Sequence, residues 1–332
     1  MRRLLSMTAI AIAMVSCNRS NTPAETTETT ENQDVVAARA QVLDDLGRNV
    51  IVPGYLSLAE SSAGLRSDLE ARCASPEGDI DQLRQRWLIG LGNWLMIQSY
   101  RFGPLEDLEL GASIFYPIDS NKVDQNARAG VTNLDGVGSD ARGLGAIGHV
   151  LYSTDELDEG ACAYLEAMAS RVADATSTVA VAWGERSEGG LSEAFPTTQA
   201  GIEMVVNDAI TSVAEAAAYL GDPPEEVAPE HDNGRDFDEI EARIISVRDV
   251  YQGAGGHGLS TLVRLAFAPT DERMTERLET ALELLAASSS DPTGEEYLAA
   301  YEVVAAVHRT FTTEIASQLG ATLMFGDSDG DS

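Results

Sequence analysis

The chain has 332 residues, with 54 acidic against 22 basic side chains and a formal charge of −32. So acidic a surface repels nucleic acid and anionic lipid, which excludes nucleic acid as a partner. Apolar residues make up 44% of the chain, enough for a sizeable core in one or two domains.

The N-terminus reads as an export signal. Arg2 and Arg3 precede an apolar stretch over residues 4–15, interrupted only by Ser6 and Thr8, and Met14, Val15 and Ser16 lead into Cys17. A charged start, a short apolar core and small residues at a cleavage point define a secretory signal. A cysteine at that point resembles a lipobox, so residues 1–17 are expected to be a lipoprotein signal peptide and Cys17 its lipidation site. Residues 18–34, NRSNTPAETTETTENQD, carry no large apolar side chain. They cannot bury enough surface to offset their ordering entropy and predict a disordered tether. The expected location is the periplasmic or cell-surface side of a bacterial membrane, with the lipid on Cys17 as the membrane contact.

The body predicts helix nearly throughout. Residues 35–49 form the first helix, Val52, Pro53 and Gly54 interrupt it, and residues 55–74 continue with Leu56, Leu58, Leu65 and Leu69 roughly on one face. Turn residues at 75–78 precede a helix over 79–102, stopped by Gly103 and Pro104. Residues 111–137 predict an irregular connection, rich in Gly, Asn and Asp. A short helix over 142–152 and a long one over 157–183 follow, and Gly189 and Gly190 suggest a boundary between halves. Helices are then expected over 195–220, 237–251, 259–267, 271–288 and 292–319, with a glycine turn at 253–258. Alternating β-branched runs are lacking, so the expectation is an all-α fold of two antiparallel helical bundles, residues 35–188 and 189–332.

With Cys17 assigned to lipid, Cys73 and Cys162 remain, and in an oxidising compartment they are expected to pair. The metallopeptidase signature H-E-x-x-H is absent. The four histidines, His149, His231, His257 and His308, are scattered. The glycine turn lacks the lysine and hydroxyl of a phosphate loop. Asp327, Asp329 and Asp331 mimic half a calcium loop without its downstream glutamate, and read as a polar helix end. The segment 142–152 is the most chemically loaded, since Arg142 and His149 beside a long loop suit an anion or a metal.

Four stretches carry a resemblance to the imelysin family of bacterial envelope proteins. They are WLMIQSYRFGP at 94–104, RGLGAIGHVLY at 142–152, DVYQGAGGHGLSTLV at 249–263 and EIASQLGATLMFGDSDGD at 314–331. The resemblance implies two related helical bundles, an envelope location, a link to iron acquisition and a site near the bundle interface. It suggests Arg101, Gly103, Arg142, Gly143, Gly145 and His149 as ligand-binding positions. Many members carry G-x-H-x-x-E, read as a peptidase signature. Here the histidine position is Gly145 and the glutamate position Gly148, and His149 points about 100° away around the helix. The expected function is therefore a non-catalytic ligand- or partner-binding lipoprotein linked to iron or metal uptake. No catalytic residue and no metal ligand is assigned. Iron is the one cofactor the resemblance suggests, and an outer-membrane transporter or a metal ligand the expected partner. The alternative is a metallopeptidase with a degenerate site, assembled from His149, Glu156 and His257.

Overall fold

A computed structural model describes residues 32–75, 79–221, 236–287 and 295–324. Cys17, His231, the acidic segment 325–331 and nearly all of the predicted tether lie outside them. Helix α1 (Gln33–Leu46) already takes in Gln33 and Asp34, the last two residues assigned to the tether. No strand occurs among the described residues, and the fold is an all-α helical bundle. None of their helices is long and apolar enough to cross a membrane.

The expected break at Pro53 does not occur. A π-helical turn (Gly47–Ile51) joins α1 directly to α2 (Val52–Ala74). Proline lacks the N–H an α-helix interior needs, but it sits comfortably in a first turn. The wider turn resets the hydrogen-bond ladder just before Pro53, so its missing donor falls at a helix start. Helix α3 (Ile80–Met96) follows, capped by the Asp79 carboxylate on the Asp81 amide at 2.9 Å. It ends six residues before the predicted 102, because Ile97 to Ser99 form a tight turn that buries Ile97.

The connection read as irregular contains three short helices, α4 (Pro104–Asp107), α5 (Gly111–Ile114) and α6 (Ser120–Ala129). The Asp119 side chain caps α6 by accepting from the amides of Asn121 and Lys122. Helix α7 (Leu144–Ser153) is the loaded segment, and α8 (Glu159–Arg186) the long helix behind it. Helices α9 (Thr198–Gly221), α10 (Asp236–Gln252), α11 (Leu259–Ala287) and α12 (Glu295–Thr310) follow. A second π-helical turn (Phe311–Ile315) leads into α13 (Ala316–Leu319). The two predicted helices around residue 269 are one kinked element. Pro269 removes a donor and crowds the backbone before it, and Phe267 leaves helical geometry at φ −161° and ψ 95°.

Helix α2 lies along α8 and α3, while α6 and α7 pack on α8. Helix α10 packs on α3, α9 and α11, and α12 on α9 and α11. Helix α1, from the first half of the chain, packs on α9 and α11 of the second. One core runs through these layers, with Tyr55, Tyr164, Trp183, Tyr251 and Phe311 all fully buried. The Cys73–Cys162 disulfide is present and ties the end of α2 to the start of α8, Cα to Cα 5.6 Å.

Candidate functional site

The chain reaches α7 through a firmly held turn. The Asp140 carbonyl accepts from the Asp119 amide at 2.7 Å, and Lys122 reaches the Asp140 carboxylate at 2.5 Å. The Tyr164 hydroxyl donates to the Ala141 carbonyl. Gly143 then takes φ +87°, and a Cβ there would lie 2.8 Å from the Ile114 carbonyl oxygen. Both the left-handed backbone and the lack of space demand glycine.

Gly145 and Gly148, the positions that the resemblance aligned with the signature, face packed side chains. A Cβ on Gly145 would stand 3.0 Å from Ile118 Cγ2 and 3.2 Å from the Tyr116 carbonyl oxygen. A Cβ on Gly148 would overlap the indole of Trp87. That indole is buried, and its Nε1–H donates to the Leu144 carbonyl at 2.7 Å. Tyr152 meets Trp87 edge-on at 5.5 Å. Arg84 closes the far end of α7, donating to the carbonyls of Leu151 at 2.8 Å and Thr154 at 3.1 Å.

His149 faces away from Gly148. Its Nε2 lies 2.9 Å from Asp124 Oδ1 on α6, and Arg128 pairs with the same carboxylate at 3.2 Å. His257 lies elsewhere, on the glycine turn between α10 and α11. Its Nδ1 is 2.6 Å and its backbone N–H donates at 3.0 Å to Asp45 Oδ2 on α1. The hydrogen bond from His257 is the main cause that holds Asp45 below the usual carboxylate range. Glu156 is exposed in the loop after α7. Among the described residues, no three His, Cys, Asp or Glu side chains come together to hold a metal, so His149, Glu156 and His257 form no common site.

Arg101 and Gly103 belong to a different neighbourhood. Gly103 packs against Trp183, and a Cβ there would approach Arg186 at 3.3 Å. Phe102 meets Trp183 edge-on at 5.5 Å, and Tyr55 stacks on the same indole at 5.7 Å. The Phe102 amide donates to the Asp208 carboxylate on α9 at 2.9 Å. Burial pushes Asp208 up to about 6, with Glu106 adding to the rise and the Phe102 amide opposing it. The Nε of Arg101 is buried with no hydrogen-bond partner.

Arg142 instead neighbours Arg171, in the middle of α8. Burial is the main cause that lowers its pKa, the like charge of Arg171 lowers it further, and the Asp135 carboxylate opposes both. Arg171 and Arg186 lie fifteen positions apart on α8, about 22 Å at 1.5 Å per residue. The six positions therefore fall into two places. Arg142, Gly143, Gly145 and His149 cluster around α7, and Arg101 and Gly103 sit at the other end of α8.

Comparison with known proteins agrees with this architecture. A family model, Peptidase_M75 (Imelysin), matches residues 51–320. The chain belongs to the imelysin family. The fold is shared with the crystal structure of an imelysin-like protein from Psychrobacter arcticum 273-4, at a TM-score of 0.73 and 17% identity, covering 87% of this chain and 98% of that one. No curated protein matches the chain.

Sequence reasoning missed Trp87, Ile118, Asp124, Arg171 and Asp208. Trp87 reads as one of several apolar residues on its helix, and nothing in its spacing says which glycine it fills. Asp124, Arg171 and Asp208 each meet their partners across 25 or more positions of sequence, or from another helix.

Proposed function

We propose that this imelysin is a lipid-anchored envelope protein that binds a ligand or partner in metal uptake and does not hydrolyse peptides. One observation carries the non-catalytic part. The space a glutamate would need at Gly148 is filled by the Trp87 indole, which is itself locked by its hydrogen bond to Leu144. A histidine at Gly145 would press on Ile118 and the Tyr116 carbonyl. The site is closed by packing as well as by substitution, so a simple reversion of two residues does not reopen it. The Cys73–Cys162 bridge supports an oxidising compartment, in keeping with export and lipid on Cys17.

The test pairs two assays on residues 18–332 after chelation. Cleavage of unfolded protein substrates is expected to be absent with and without added metal, and chelator-sensitive cleavage overturns the reading. Thermal unfolding with Fe(II), Fe(III), Zn, Cu, Ca and haem tests the binding that such uptake requires. A ligand at 100 times its dissociation constant stabilises the native state by about 2.7 kcal/mol. A selective rise with iron or haem is the expected result, and no rise with any of them removes the metal from the proposal.

A further inference from the structure

The first half of α11 ends in an exposed apolar ridge. Arg264 to Pro269 are six consecutive exposed residues, five of them apolar. Leu265 is 71% exposed, and no large apolar side chain among the described residues is more so. Phe267 is 52% exposed, while Phe102, Phe195 and Phe311 are buried. A regular surface helix returns part of any such run to its packed face. Here the kink before Pro269 takes Phe267 out of helical geometry, so the whole run stays on the surface.

The kink is braced. Arg264 Nε donates across it to Asp271 Oδ2 at 2.9 Å, and Arg264 Nη2 donates to Ser260 Oγ at 2.9 Å. The Tyr251 hydroxyl donates to the other oxygen of the same carboxylate at 3.0 Å. Leu265 and Phe267 are therefore held out in water on a fixed backbone, where apolar surface costs free energy until something apolar meets it.

Charge and chain length point to what that is. Residues 259–270 contain no acidic side chain and a single basic one, Arg264, which Asp271 neutralises. The chain as a whole has 54 acidic residues among 332, so this is a stretch by which a strongly negative body can touch a neutral lipid surface without presenting its own charge. The chain outside the described fold also leads to a lipid. Residues 18–32 separate the proposed lipidation site at Cys17 from the start of α1. Those fifteen residues reach about 50 Å at most. Helix α1, where that segment enters the body, packs on α11, which carries the ridge. A body held so near a bilayer meets it at high effective concentration, and a small apolar contact then suffices.

We propose that the Leu265–Phe267 ridge inserts into the surface of a zwitterionic lipid bilayer, as a second contact beside the lipid on Cys17. This deepens the lipid-anchored part of the proposed function and rests on it for the nearness of the bilayer. It orients the body on the membrane and needs no metal.

Cosedimentation of residues 18–332 with phosphatidylcholine vesicles tests the ridge apart from the anchor. The expected result is measurable binding that added phosphatidylglycerol diminishes. Leu265→Ser combined with Phe267→Ser is expected to reduce it fivefold or more, with circular dichroism confirming the fold. Leu56→Ser, at a leucine 53% exposed on α2, is expected to leave it unchanged. Phe267→Trp is expected to keep the binding and to shift its emission to the blue when vesicles are added. The native indoles of Trp87, Trp94 and Trp183 are buried and give no such shift. Absence of binding by the wild type overturns the proposal, as does equal binding by the wild type and the double variant. Self-association without lipid that the double variant loses, read by sedimentation equilibrium, overturns it in favour of a second copy of the chain. Mass spectrometry of the membrane-extracted protein keeps the two readings apart. An acylated Cys17 with a ridge that ignores vesicles sinks the ridge and leaves the anchor standing. An unmodified Cys17 with ridge-dependent binding does the reverse.

Discussion

The Trp87 face of α7 and the Asp208 turn at the far end of α8 are both buried meeting points, yet they are built on opposite terms. Around Trp87 the indole donor is satisfied and the glycines leave no space beyond contact distance. Around Asp208 a carboxylate is partly buried in its charged form at neutral pH, and Arg101 keeps an unpartnered Nε. The first region is sealed by packing. The second holds electrostatic tension, which natural proteins keep only where something offsets it. The lesson is that one buried meeting point is closed by packing, while the other keeps a carboxylate that burial disfavours.

The largest test removes what both regions lean on. Replacing Cys73 and Cys162 together by Ala opens a loop of 89 positions. In the chain-entropy model this costs about 4–5 kcal/mol. Urea unfolding under non-reducing conditions reads the loss, and hydrogen exchange is expected to show both ends of α8 opening together. If only the α7 end loosens, the two regions are mechanically independent.

Trp87→Ala attacks the sealed region alone. Losing a buried indole typically costs about 3–5 kcal/mol. Equilibrium unfolding measures it, and a cost under about 1 kcal/mol would mean that α7 does not depend on this seal. Gly148→Glu attacks the same contact from the other side. Overpacking is expected to cost about 1–3 kcal/mol. On the Trp87→Ala background the same substitution is expected to cost less, so the double-mutant cycle reports the overlap directly.

The smallest effect lies in the other region and has a sign. The ordinary Asp value of 3.8 rises to about 6 for Asp208 in the folded protein. Below both values the group is neutral in either state and contributes nothing. As pH rises from about 4 to about 6, the unfolded chain releases its proton first, so stability falls across that window. Above it the penalty is constant. Asp208→Asn keeps an oxygen to accept from Phe102 and removes the charge. It is expected to stabilise the protein at pH 7–8 by about 1 kcal/mol and to flatten the profile between pH 4 and 6. Thermal unfolding across pH 4–8 reads both, and an unchanged slope would place the titration elsewhere.

Much of the fold was legible along the chain. Of the four leucines read as one face of α2, Leu58, Leu65 and Leu69 are buried, while Leu56 is exposed because two positions of helix turn it away from Leu58. With Cys17 read as a lipidation site, Cys73 and Cys162 were expected to pair, and they do. Local rules failed where geometry compensates locally. Pro53 reads as a stop, but a π-helical turn moves its missing donor to a helix start. The segment after residue 111 reads as irregular, but side-chain caps such as Asp119 suffice for short helices within it.

The site divides along the same line. By itself the sequence determined that glycines stand at 145 and 148 of one helix, and the family resemblance reads those as the places of a peptidase signature. Only the tertiary structure decided that Trp87 fills the space of one and Ile118 crowds the other, that Arg101 lies far from Arg142, and that the charges of Arg171 and Asp135 act on Arg142. Those facts depend on distances between helices, and helical periodicity fixes a residue's face without fixing what that face will touch.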